Sequence, residues 1–544
     1  MDYGKSVFCC QNIEALTMKN SFTLLSLFFF VFTIQAQDPN ILWQRTIGGS
    51  GDEELRVSIS TFDGGFLIAG PSKSNISGDK SENNIGEDDY WIVKLSSTGN
   101  LEWDNTIGGD DLDRVESIIQ DVDGGYVIGG WSGSNISGDK NENCRGFYDY
   151  WIVKLNSLGN IQWQKTIGGS NQDIMNNIIQ TNDGGYFLGG TSNSNISGEK
   201  SENSIDFSDD YWVLKLDNSG NIEWQNTIGG NSEDKLESVL QTPDGGFLLG
   251  GYSRSGISED KTEINQGNYD YWIVKVDHLG NIEWQNTIGG DDGDILTNVT
   301  QSYDGGYLVV GESWSTMSGD KTENNYGDSD YWIIKLDQTG NIEWQNTIGG
   351  NEADGCLFSY SDFDGSYWIV GFSTSNISGD KTVPSNGSTD IWLLKLNDSG
   401  EILNQYSIGG SHADYAVSIN RTSENKIFLG GNSRSDISGD KTENSIGEND
   451  YWVLKLDDLL GTTEHLLATG IALYPNPAKK TLQLNTQDKT VDQINIYTMG
   501  GSKVLQLDVD TVSPIVDVSS LASGIYYVQL YSGKNVALKK FVKE

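Results

Sequence analysis

Residues 46–105 read TIGGSGDEELRVSISTFDGGFLIAGPSKSNISGDKSENNIGEDDYWIVKLSSTGNLEWDN, and from Thr106 a close copy of the same text begins. The tetrad Thr-Ile-Gly-Gly opens at Thr46, Thr106, Thr166, Thr227, Thr287 and Thr347, with Ser407-Ile408-Gly409-Gly410 as a seventh variant. Successive openings lie 60 or 61 residues apart. A second marker, Asp-Tyr-Trp or Asp-Ile-Trp, starts at Asp89, Asp149, Asp210, Asp270, Asp330, Asp390 and Asp450. Two markers with one count and one period define a single supersecondary unit repeated in tandem.

Within the first unit, alternation and glycine punctuation predict four strands, at 55–61, 66–70, 90–95 and 101–107. Asp63-Gly64-Gly65 joins the first pair in a tight hairpin, and Thr98-Gly99-Asn100 joins the last. No stretch carries a helical period. Four antiparallel strands per unit, seven times over, predict an all-β fold: a seven-bladed β-propeller spanning 37–458. The seventh unit stops after 451–456 without its fourth strand, while an orphan fourth strand, 41–47, precedes the first unit. That strand is expected to complete the last blade and close the ring. Thirteen of the 16 tryptophans fall in two columns of the repeat, which reads as packing between blades.

The formal charge of −42 is unevenly placed: residues 469–544 carry +2, so the remainder carries −44. Such a surface repels nucleic acid and anionic membranes. Met18-Lys19, an apolar run over 22–34 and Ile34-Gln35-Ala36 read as a secretory signal, 1–36, with a misassigned start before Met18. No later apolar run reaches the ~20 residues of a membrane helix, so the mature chain is expected to have no transmembrane segment. Cys9 and Cys10 precede the export signal. Cys144 and Cys356 occupy different slots four repeats apart and are not expected to pair.

Strand direction places the connection between units and the long loop before Asp-Tyr-Trp on one face, which is strongly acidic. The other face holds only tight turns. Asp79, Asp139, Asp260, Asp320, Asp380 and Asp440 recur in that loop and are candidate Ca²⁺ ligands, since the ion takes 6–8 oxygens. The lysine after each of them offers a plain ion pair or turn role instead, and the spacing matches no EF-hand. Positions opening the loop differ between units. Trp131, Tyr252, Phe372 and, two residues further along its own loop, Trp314 are candidate ligand-stacking residues; drift at a loop edge is the alternative. The three histidines, His278, His412 and His465, do not recur, and no nucleophile elbow, zinc-helix motif or P-loop is present.

From about Thr469, after a linker at 459–468, tryptophan vanishes and lysine rises. The order Tyr474-Pro475-Asn476-Pro477, then Leu521-Ala522-Ser523-Gly524-Ile525-Tyr526-Tyr527-Val528-Gln529-Leu530, then a basic end suggests a small β-sandwich, Ig-like, at 469–544. This segment resembles the type A C-terminal sorting domain (Por secretion tail) of the Bacteroidetes type IX secretion system, with Pro475, Asn476, Pro477, Gly524 and Tyr526 at the motif positions; Ala522 departs from a frequent proline. The resemblance implies export by that machinery, and removal of the domain with release or attachment to surface lipopolysaccharide. The repeats also resemble the Asp-Gly-Gly-Tyr repeats of secreted bacterial proteins. The expected function is a secreted or cell-surface binding or adhesion propeller for an extracellular glycan or protein. The alternative is a secreted polysaccharide hydrolase using carboxylates of the acidic face, and a third reading is an adhesive protein with Ca²⁺-stiffened loops.

Overall fold

The computed structural model describes residues 40–457 and 471–544, apart from 363, 487–488, 499–502 and 533–534. The signal segment 1–36 and the linker 459–468 lie outside the described residues. The repeat region folds into seven four-stranded antiparallel sheets. The first holds Val57–Ser60, Phe66–Ser72, Asp89–Leu95 and Leu101–Ile107 in that spatial order. Its hairpin turns at Gly64, whose φ of 84° is open to glycine and costly for residues with a Cβ. The last sheet takes Asp414–Arg421, Ile427–Ser433 and Asp450–Leu456 from the seventh unit and its fourth strand, Ile41–Ile47, from the start of the chain.

The third strand of each sheet has a strand on either side and a neighbouring sheet on each face, so Asp-Tyr-Trp-Ile-Val-Lys-Leu of Asp89–Leu95 is buried throughout. Its lysine survives burial by paired contacts: Lys94 Nζ lies 2.9 Å from Asp63 and 3.1 Å from Glu102. Tyrosine and tryptophan of this strand bind sheet to sheet. Tyr90 packs on Trp151 at 5.0 Å between ring centroids and donates its hydroxyl to the Trp151 carbonyl. Tyr150, Tyr211, Tyr271 and Tyr331 repeat the bond one sheet further along. Tyr451 makes it from the last sheet to the carbonyl of Trp91 in the first, and Phe66 stacks on Phe428 at 3.9 Å. One apolar cluster accordingly joins Leu55, Phe66 and Trp91 to Phe428, Tyr451 and Val453. The row of sheets closes on itself, as in a β-propeller.

The C-terminal region forms two further sheets. Ala472–Tyr474, Thr481–Asn485 and Ile515–Asp517 make one, and Lys503–Val512, Thr490–Thr498, Gly524–Ser532 and Asn535–Lys543 the other. Leu482, Leu484 and Val516 of the first share a buried core with Ile494, Ile496, Val528 and Phe541 of the second. Among the described residues no helix is long and apolar enough to cross a membrane, and Cys144 and Cys356 are free thiols.

Candidate functional site

The first strand of each sheet touches the first strands of both neighbouring sheets, and the contacts run all the way round from the first sheet to the last. These strands therefore surround the axis of the ring. Each starts at the acidic loop face and ends at the hairpin-turn face.

Just below the loop face the pairing of the first strand slips. The register breaks between Val115 and Ser117, Met175 and Asn177, Leu236 and Ser238, Leu296 and Asn298, Cys356 and Phe358, and Ala416 and Ser418. A β-bulge of this kind leaves one residue unpaired and re-aims its side chain. The residues so placed are Glu116, Asn176, Glu237, Thr297, Leu357 and Val417; Arg56 takes the same position in the first sheet, where regular pairing begins only at Val57. The preceding column, Leu55, Val115, Met175, Leu236, Leu296, Cys356 and Ala416, is wholly buried in the sheet interfaces. The bulge column is partly open at all seven positions and lines the channel.

Arg56 lies 3.1 Å from Glu54 and 4.0 Å from Glu116. Burial lowers the arginine's affinity for its proton, but the carboxylates of Glu116 and Glu54 outweigh it and the net shift is upward. Glu116 accepts the indole N–H of Trp131 at 3.2 Å, and burial raises its carboxyl against the opposing pull of Arg56. Asn176 donates to the Leu236 carbonyl at 2.7 Å and to Glu237 Oε2 at 3.2 Å. Burial first, then repulsion from Glu116, pushes Glu237 up to about 7. A carboxyl with that affinity can hold or release a proton near neutrality.

Of the four stacking candidates, three sit half-buried on second strands at the channel's loop-face rim. Trp131 meets the edge of Tyr148 at 4.6 Å, with the Arg114 guanidinium 5.8 Å from its ring and itself bonded to Asp88. Tyr252 packs edge-on to Tyr269 at 5.2 Å. Phe372 pairs with Gly355, where an added Cβ would fall 2.4 Å from the phenyl ring. Trp314 lies beyond the strand end and is 41% exposed. The structure thus joins Trp131 directly to Glu116, and keeps Tyr252, Phe372 and Trp314 on separate sheets. Glu116, Asn176, Glu237 and Arg56 escaped the sequence reading, although their column varies in charge and polarity between repeats, as the loop-opening column also does.

The recurrent aspartates take part in a backbone clasp. Asp79, Asp139, Asp260, Asp320, Asp380 and Asp440 accept the N–H of Gly48, Gly108, Gly229, Gly289, Gly349 and Gly409 at 3.1–3.4 Å. They stand one or two sheets apart, and no group of three His, Cys, Asp or Glu placed to hold a metal occurs among the described residues. The lysine that follows turns inward over the buried tryptophan: Lys140 Nζ lies 4.8 Å from the Trp151 ring and donates to Thr166 Oγ1 at 2.8 Å. Burial pulls that lysine down to about 8, against the attraction of Asp113.

In the C-terminal region, Asn476, between Pro475 and Pro477, accepts the N–H of Val542 at 2.8 Å and so ties the start of the domain to its last strand. Gly524 opens the strand that carries Tyr526 and pairs with Lys543. Tyr526 stacks on Phe541 at 5.7 Å and donates to the Ala522 carbonyl at 3.1 Å. The bond uses only a carbonyl, which alanine and proline share, so the departure at Ala522 leaves it intact.

The regulatory protein FlaEY of Caulobacter vibrioides is 21% identical over 378 residues, covering 63% of this chain and 39% of that protein. The chain thus spans well under half the length of that relative. Among solved structures, BBS1N in complex with ARL6DN aligns with a TM-score of 0.42 and 8% identity, covering 78% of this chain and 99% of that one. YCF48 bound to D1 peptide aligns at 0.39 and 10%, covering 78% and 96%. The Neurospora crassa Pan2 WD40 domain aligns at 0.32 and 9%, covering 62% and 94%. Residues 472–544 match the secretion system C-terminal sorting domain family. The segment with the Pro-Asn-Pro start and the Tyr526–Phe541 stack is therefore a type IX secretion sorting domain, and the chain that carries it is a secreted or cell-surface propeller protein.

Proposed function

We propose that this protein is a binding propeller of the cell exterior that takes an extracellular ligand at the loop-face mouth of its central channel. The bulge column carries the proposal. Near-identical sheets place seven side chains round one axis, and Arg56, Glu116, Asn176, Glu237, Thr297, Leu357 and Val417 include nearly every class of recognition chemistry. This column changes in charge and polarity from sheet to sheet, whereas the wholly buried column before it changes only in the size of apolar or thiol side chains. Trp131 and Tyr252 at the rim add flat apolar surface with a polar tip, suited to stacking on a sugar or a peptide side chain. Glycan and peptide arrays probed with the mature chain and with a Trp131→Ala/Tyr252→Ala double variant test this. The reading expects signals that the double variant loses; signals that survive it place the binding elsewhere. After export the protein is released or held on surface lipopolysaccharide.

A secreted polysaccharide hydrolase is the second reading, and Glu116 and Glu237 favour it. One carboxyl raised towards neutrality beside a second carboxylate is the pairing that general acid catalysis uses. Turnover of a polysaccharide that Glu237→Gln abolishes would establish it; binding without turnover leaves the first.

A further inference from the structure

The charge in the channel does not balance. Facing the bulge column are Glu54 and Arg56 from the first sheet, Arg114 and Glu116 from the second, Asn176 from the third, and Lys235 and Glu237 from the fourth. Thr297 and Glu312 follow from the fifth, Leu357 from the sixth, and Tyr415 and Val417 from the seventh. Two of the three cations are committed to loop carboxylates: Arg114 lies 2.8 Å from Asp88, and Lys235 lies 3.7 Å from Asp209. Arg56 pairs with Glu54 and Glu116, and Lys235 and Arg56 pull on Glu237 without forming an ion pair with it. Among the described residues Glu237 has no cation within 4.0 Å; its carboxylate is held by one hydrogen bond, from Asn176. An ionised carboxylate enclosed in this way is costly unless a cation joins it.

The side facing these acids is different. Leu357, Val417 and Phe372, on the sixth and seventh sheets, present hydrocarbon to the same channel. A ligand that satisfies both sides has an aliphatic stem and a cationic head. The oxygens available are too few for the 6–8 ligands of calcium. Arg56 already shows that a guanidinium on an alkyl stem fits between carboxylates of this ring.

We propose that the channel mouth binds a lysine or arginine side chain of an extracellular peptide, its charged head between Glu116 and Glu237 and its stem against Leu357 and Val417. The inference rests on reading the channel as the binding site, and it adds the chemical class of the ligand. The −44 charge of the chain outside the sorting domain draws such peptides in, and Trp131 and Tyr252 offer ring faces to the entering cation.

The test is calorimetric titration of the mature chain with the Nα-acetyl methylamides of lysine, arginine, norleucine and glutamic acid. Lysine or arginine is expected to bind at least about tenfold more tightly than norleucine, and Glu237→Gln to weaken it by about tenfold or more. Glu102→Gln, on an outer strand, should leave the affinity unchanged. Equal affinity for lysine and norleucine, or cation binding indifferent to Glu237→Gln, overturns the proposal; the latter is diffuse attraction to an acidic surface. Should Glu237→Gln fail to fold, the indole N–H resonance of Trp131 in the unaltered chain decides. A shift on adding the lysine derivative supports the site, and no shift overturns it. Binding of a neutral ligand that depends on Trp131 would sink the cation assignment and leave the channel as the site. If channel variants affect no ligand at all, both fall together.

Discussion

Closure of the ring can be tested at a single tyrosine. Tyr451 in the last sheet is fully buried, packs on Trp91 at 5.0 Å and donates to the Trp91 carbonyl at 3.3 Å. Tyr271, in mid-ring, is equally buried, packs on Trp332 at 5.0 Å and donates to its carbonyl at 3.1 Å. Burying a tyrosine removes roughly 150–250 Å² from water, about 4–6 kcal/mol at ~25 cal/mol/Å². Truncation to alanine in a close-packed site costs about 3–5 kcal/mol once partial collapse is allowed for. The hydroxyl bond is the smaller share, about 1 kcal/mol. If the first and last sheets meet as the structure has them, Tyr451→Ala and Tyr271→Ala should destabilise by the same amount within about 1 kcal/mol. Equilibrium urea unfolding of the two variants, followed by tryptophan fluorescence, measures this. In an open row of sheets Tyr451 would stand at a free end, so a Tyr451→Ala cost below about 1 kcal/mol beside a full cost at Tyr271 would refute closure.

Buried acids give a pH dependence of known sign. Burial raises Asp113, Asp149, Asp234 and Asp270 to about 6, Asp330 to about 7 and Asp210 to about 8, all from an ordinary 3.8. Between about pH 5 and 7 these acids make the folded chain hold more protons than the unfolded one, so stability falls as pH rises through that window; the buried lysines lowered to about 8 oppose the fall only towards pH 8. Thermal melts should show a higher Tm at pH 5.5 than at pH 8, and the reverse order would contradict the assignment. At the inner turns, Gln241 accepts the N–H of Asn182 at 2.9 Å, whereas Gln301 faces Pro243, which has no N–H, and both ends of its amide are buried without a partner. Gln301→Leu should thus be neutral or stabilising in urea unfolding, while Gln241→Leu should cost about 1–3 kcal/mol. Similar costs for both would show that Gln301 is satisfied in solution. A chain ending at Asp457 should fold but stay inside the cell envelope, as followed by fractionation. Its arrival at the surface would remove the export role from residues 472–544.

The architecture was legible in the sequence because its determinants are local and repeated. Thr-Ile-Gly-Gly and Asp-Tyr-Trp mark strand ends, Asp63-Gly64-Gly65 requires a turn, and the orphan strand at 41–47 has one open place to go. The channel was harder. A bulge is a property of pairing between two strands, and Val115-Glu116-Ser117 reads as ordinary alternation until its partner strand is in view. Glu116 thereby looks like a solvent-facing residue, although the bulge turns it into an enclosed shaft. The rim column was visible because Trp131 and Tyr252 open an unmistakable loop. Composition alone also could not settle the role of Asp79 and its counterparts. An oxygen-rich loop reads the same whether it is to take a cation or to hold its own backbone, and the glycine amide that bonds Asp79 is visible only in the fold.

The most direct test of the channel as a store of uncompensated charge needs no ligand. Carbon-detected NMR titration of the glutamate side chains, assigned through Glu237→Gln, reads the Glu237 carboxyl itself. Titration near 7, moving down when Glu116→Gln removes the neighbouring charge, is the predicted result. A Glu237 that titrates near 4.5 and ignores Glu116 would mean that its charge is already answered, and the channel would lose its claim as the binding site.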